Sequence, residues 1–161
     1  MSGRFFLHMK IEIDFNDSEK SGIKKSFLFQ VAQKTLAQKD FEFLKNKNIS
    51  ISFAMVTEKE IARLNAIYRR KKTATDVLSF CEYKNQKELN EAGDKNVYLG
   101  EVIVCYTYIK KFSKKEKKNS KQELAEIISH GMLHLLGLRH SQKMFEIQKE
   151  ISLLCGNRDS K

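Results

Sequence analysis

Proline is absent from the 161-residue sequence, and cysteine occurs only three times. Without proline or internal repeats, nothing marks an interdomain linker. Cys81, Cys105 and Cys155 are an odd number with no close pair, which fits neither a disulfide scaffold nor a cysteine-based zinc knuckle and points to a reducing cytosol. No apolar run approaches the roughly 18 residues that a membrane-spanning helix needs. Near the N-terminus the short Phe5-Phe6-Leu7 run is interrupted at once by His8 and Lys10, so the apolar stretch of a signal peptide is missing and a cytoplasmic location is expected.

With 41% hydrophobic and 31% charged residues, the chain can bury one substantial core, so residues 1–161 are expected to form a single domain. A net charge of +10 and a pI near 9.5 suit a polyanionic partner, although lysine-rich composition also serves solubility.

Alternation of apolar and charged residues predicts a half-exposed strand over Met9–Phe15. Helical spacing of Ile23, Phe27, Val31 and Leu36 predicts a helix over Ser18–Gln38, with Asp17 or Ser18 as its cap. Ile49–Val56 reads as an interior strand, and the capping box Thr57-Glu58-Lys59-Glu60 opens a helix that runs to about Tyr68. A basic connection, Arg69–Lys72, leads to a short strand at Asp76–Phe80, a polar loop through Gly93 and Asp94, and a last strand at Val97–Cys105. Residues 110–121 carry seven lysines and one glutamate, which cannot form a core and are expected at a helix junction facing solvent or phosphate. Leu124, Ile127, Ile128, Met132, Leu133, Leu135 and Leu136 form a broad helical stripe that Gly137 can end, and a final helix covers about Gln142–Leu154.

Three of the four histidines fall within this stripe and just beyond it, at His130, His134 and His140. Four helical residues turn the chain by about 400°, so His130 and His134 share one face, one turn apart. Once the helix stops at Gly137 the chain can double back and offer His140 as a third imidazole; three imidazoles make an open tetrahedral zinc site at the C-terminal half of the helix. His8, isolated on a strand-like stretch, reads as an ordinary side chain. The spacing is that of the metzincin proteases, but where those place a glutamate base after the first histidine this chain has Gly131. A metzincin-like protease is therefore the weaker alternative.

The segment His130-Gly131-Met132-Leu133-His134-Leu135-Leu136-Gly137 followed by His140 resembles the signature of the YbeY family, bacterial endoribonucleases and ribosomal RNA maturation factors. Tyr68-Arg69 followed by Thr75–Phe80, and Leu99–Val104, match in the same order. Arg139 and Cys81 depart from the family pattern, which usually has Asp and Pro there. The resemblance implies an α/β fold of α+β type, with a four-stranded mixed sheet packed by about five helices. It also implies one zinc ion per chain and single-strand-specific cleavage of ribosomal RNA precursors during late small-subunit maturation and quality control. The small ribosomal subunit is the expected partner.

The resemblance ties Arg69 to activity, and a guanidinium near the metal could stabilise charge on phosphoryl oxygens. Asp76, Ser79, Glu101 and Glu126 could orient an imidazole or a water. Lys114, Lys115, Lys117 and Lys118 are the candidate RNA-tracking residues. Phe5, Phe6, Tyr83, Tyr98, Tyr106, Tyr108 and Phe112 could stack bases, although most are expected in the core or on strands. The alternative from another class is a non-catalytic ribosome-assembly factor with structural zinc.

Overall fold

A computed structural model describes residues 9–156. His8, Phe5 and Phe6 lie outside the described residues. Four strands, β1 (Lys10–Asp17), β2 (Asn48–Met55), β3 (Val77–Cys81) and β4 (Asn96–Val104), form one mixed sheet in the order β1-β2-β4-β3. The first three neighbours run parallel, and β3 lies antiparallel to β4 at the edge. The helices are α1 (Lys25–Leu36), α2 (Glu58–Arg69), α3 (Gln86–Glu91), α4 (Tyr106–Lys115), α5 (Ser120–Leu135) and α6 (Gln142–Gly156), with a 3-10 turn at Lys39–Leu44.

The two faces of the sheet are covered separately, and the sequence shows why. In β2, Ile49, Ile51, Phe53 and Met55 point into the main core with Leu28, Leu99, Ile128 and Leu133. From the same strand, Ala54 and the following Val56 join Ile61, Leu78 and Ile103 in a smaller cluster under α2. Thus the continuous apolar stretch of this interior strand is apolar because both faces are covered there. The helix α5 is the central packing element, touching β3, β4, α1, α4 and α6, and Leu124, Ile128, Met132, Leu133 and Leu135 are fully buried.

Departures from the sequence expectations have local causes. The first helix does not start at Ser18. The Asp17 carboxylate turns back onto the Ser21 N–H at 3.0 Å and the Ser21 hydroxyl at 2.8 Å. Lys20 and Gly22 take positive φ, and the helix begins only after Lys24, which makes no side-chain cap bond. A short polar side chain here competes with helix formation. The polar loop before β4 holds the extra helix α3, capped by the Asn85 side chain on the Glu88 N–H at 2.8 Å. The lysine-rich stretch is helical over residues 110–115, because Tyr106, Ile109 and Ser113 give α4 a buried stripe, and again from Ser120, where α5 begins.

Candidate functional site

Two glycines set the site's backbone. At Gly131 a Cβ would lie 2.7 Å from Val102 Cγ1 and 3.2 Å from Ser79 Oγ, so the missing side chain lets α5 sit directly on β4 and β3. The Ser79 hydroxyl donates to the Gly131 carbonyl at 3.3 Å, fixing that contact. Beyond Leu136, Gly137 adopts φ +86°; its N–H donates to the His134 carbonyl and the Leu138 N–H to the Leu133 carbonyl, both at 3.0 Å. These are the paired bonds of a Schellman stop, and Leu138 packs onto the main core as its apolar clasp. The chain turns back, and Ser141 starts α6 by accepting from the Met144 N–H at 3.2 Å.

Three imidazoles meet at this stop. His134 Nε2 lies 3.1 Å from His130 Nε2 and 3.0 Å from His140 Nε2, and the three candidate ligand atoms all fall within 4.8 Å of one another. Tetrahedral zinc at the usual Zn–N length would space its nitrogens by roughly 3.3 Å. The outward nitrogens of His130 and His134 are committed elsewhere. His134 Nδ1 donates to the Leu138 carbonyl at 3.2 Å, an oxygen that can only accept. Gln148 Nε2 donates to Glu126 Oε1 at 3.1 Å, which turns Gln148 Oε1 toward His130 Nδ1 at 2.9 Å, so that this nitrogen must carry the proton. Both Nε2 atoms therefore present lone pairs to the same point. Uncompensated lone pairs at this distance repel, whereas a cation between them turns the repulsion into ligation.

Burial, followed by the neighbouring His130, pushes the His134 pKa below its usual value, and His140 and Arg69 act in the same direction against the Leu138 hydrogen bond. The neutral imidazole, the form that binds metal, is favoured. The donor set thus fits a zinc-class cation.

The histidines line an open cleft of about 710 Å³, with His140 exposed and the other two half-buried. Exposed Arg69, the last residue of α2 rather than part of the following connection, lines this cleft, as do Arg139 and Lys84. Asp76 is the acidic side chain among the described lining residues. Cys81 stands at the rim with its Sγ 3.4 Å from the His134 carbonyl.

The remaining candidates divide. Glu126 is 8% exposed and acts on His130 only through Gln148, while Lys149 Nζ lies 3.1 Å from its other oxygen. Ser79 holds the helix backbone, and the Asp76 carboxylate accepts from the Thr75 hydroxyl at 3.3 Å; among the described residues the imidazole hydrogen bonds go to Gln148, Leu138 and one another. Glu101 stands opposite Phe80 in the sheet register. None of Lys114, Lys115, Lys117 and Lys118 is among the described residues lining the cleft; they occupy the end of α4 and the turn before α5. Sequence reasoning missed Gln148 and Lys84. The former had a signal, a polar residue beside the buried stripe Met144, Ile147 and Ile151 of α6.

Residues 12–154 match the family model described as endoribonuclease YbeY. An endoribonuclease YbeY of Oceanobacillus iheyensis is 34% identical over 151 residues, covering 88% of this chain and 95% of its own length. The endoribonuclease YbeY of Dehalococcoides mccartyi is 31% identical over 148 residues, covering 88% and 84%. A Thermotoga maritima protein solved in solution superposes with a TM-score of 0.57 at 27% identity, covering 88% of this chain and 87% of that one.

Proposed function

Because the chain belongs to the endoribonuclease YbeY family, we propose that it is a zinc-dependent, single-strand-specific endoribonuclease acting in the cytoplasm on ribosomal RNA precursors during late small-subunit maturation and quality control. In this reading residues 1–161 are a single hydrolase domain, with one zinc held by His130, His134 and His140. The observation that carries it is the convergence of three imidazole Nε2 atoms, two with their other nitrogen tied to a fixed acceptor, inside a cleft rimmed by Arg69, Arg139 and Lys84.

Zinc supplies Lewis acidity, which acidifies water and polarises phosphoryl oxygens. The protein's own groups do the rest. Hydrolysis adds a water oxygen to phosphorus and breaks the bond to the leaving ribose oxygen, and negative charge builds on the non-bridging oxygens as it does so. Arg69 pairs with those oxygens; a guanidinium does this in a fixed fork and never loses its charge. Arg139 and Lys84 hold neighbouring phosphates. Gln148 and the Leu138 carbonyl keep two imidazoles turned inward.

Substitution separates these roles. His134→Ala releases the metal, as elemental analysis of the purified protein will read. Arg69→Ala keeps metal and fold, loses roughly a hundredfold in single-turnover cleavage, and changes RNA affinity only a few-fold. Normal cutting by Arg69→Ala would remove it from catalysis. If the zinc-loaded parent cuts no ribosomal RNA precursor, the chain is a binding factor with structural zinc.

A further inference from the structure

Beside the cleft, between α4, α5 and α6, lies a second hollow of about 410 Å³ whose walls include Tyr108, Phe112 and Phe145. All three are exposed, Phe112 at 42% and Phe145 at 50%, an unusual concentration of aromatic surface in one place. The hollow lies within the size range of small-molecule sites. Each phenylalanine has an ammonium over its ring at 5.5 Å from the centroid, Lys118 over Phe112 and Lys149 over Phe145. Asp76 lines both this hollow and the histidine cleft, so the two share a wall.

We propose that this hollow is a base-binding subsite for single-stranded RNA, which seats a nucleotide flanking the one in the histidine cleft; it rests on the nuclease reading above. A nucleotide joins a flat π-face to an anion; each phenyl ring offers a surface on which a base stacks once the half-exposed lysine over it swings aside, and that lysine is then the cation for the phosphate. The surroundings select the same occupant. Lys110, Lys111, Lys114, Lys115 and Lys117 continue from Lys118 along α4 and its end, a field that draws a phosphate backbone and opposes a basic protein segment. The carboxylates have a use in this arrangement. Glu123 and Glu126 are engaged by Lys118 at 3.7 Å and Lys149 at 3.1 Å, while Asp76, which accepts from the Thr75 hydroxyl, lines the hollow as an acceptor for exocyclic amino hydrogens. Cytosine therefore binds better than uracil, which carries a carbonyl at the same ring position.

The test measures fluorescence anisotropy of short labelled oligocytidylate and oligouridylate with the zinc-loaded full chain, in an Arg69→Ala background where cutting is slow. Phe112→Ala and Phe145→Ala should each weaken oligocytidylate binding roughly tenfold, and Phe145→Tyr should preserve it, because stacking needs a ring and not a particular one. The preference for cytosine should vanish in the double alanine variant. Both side chains are exposed, so circular dichroism should show an unchanged fold. Saturable binding by the parent that the double variant matches would overturn the subsite alone. If the parent binds neither strand, the RNA reading falls and the subsite with it. Binding of an oligolysine peptide that depends on the two phenylalanines would assign the hollow to a basic protein segment instead and also overturn the proposal.

Discussion

Removing the Gln148 amide should cost zinc affinity and stability together, and the structure shows how the two can be separated. Gln148→Leu keeps the approximate volume but deletes the acceptor 2.9 Å from His130 Nδ1 and the donor 3.1 Å from Glu126 Oε1. His130 is then free to move its proton to Nε2, the tautomer that cannot ligate, and to rotate. Loss of such an outer partner typically weakens metal binding by about 10- to 100-fold, or roughly 1.4 to 2.7 kcal/mol. Glu126 keeps Lys149 but loses one hydrogen bond at 8% exposure, at a cost of about 1 to 3 kcal/mol. Gln148→Glu divides the effects: a carboxylate still accepts from His130 but meets Glu126 as a like charge. Its zinc affinity should hold while its stability falls. Competition with a chromophoric chelator reads the first quantity, and urea unfolding of the metal-free protein the second. A Gln148→Leu variant that binds zinc within about twofold of the parent would refute an orienting role for the amide.

Two further outcomes are expected elsewhere in the chain. Glu19 accepts from the Tyr106 N–H at 2.9 Å, the Thr107 N–H at 2.5 Å and the Thr107 hydroxyl, at the N-terminus of a helix whose own Cys105 supplies no side-chain cap. Glu19→Ala should therefore destabilise by about 1 to 2 kcal/mol in urea unfolding, without change in zinc content. Neutralising Lys114, Lys115, Lys117 and Lys118 to glutamine should flatten the salt dependence of RNA affinity by up to roughly four counterion equivalents; an unchanged slope would return these residues to a purely solvated role.

The strands were legible because their periodicity is strong and both faces of β2 are covered by apolar layers, so that Ile49 to Val56 reads as interior whichever partner is assumed. The helix bearing His130 and His134 was legible for a similar reason: its buried residues surround the histidine face, and Gly137 supplies the stop. What stayed hidden was decided by single hydrogen bonds or masked by composition. Nothing in the spacing of Ile23, Phe27 and Val31 reveals that Asp17 will spend its carboxylate on Ser21 and delay the helix. The apolar stripe of α4 is narrow, and the lysines around Ile109 outweigh it in any reading by charge. The role of Gln148 depends on α6 folding back beside α5, a contact between distant segments.

The same helix bears on why the site is not built for peptide hydrolysis by the route its spacing suggests. That route needs a carboxylate one residue beyond the first histidine. In this fold position 131 does not open into the cleft; it faces Val102 and Ser79, with space for a hydrogen and no more. A glutamate there would have to push α5 off the sheet, and the displacement would carry His130 and His134 with it. The close seat of the helix and the absence of that base are therefore one structural fact. A reaction that relies on cationic stabilisation by the cleft, rather than on a glutamate carried by the helix, is the chemistry such a seat permits, and phosphodiester hydrolysis is of that kind.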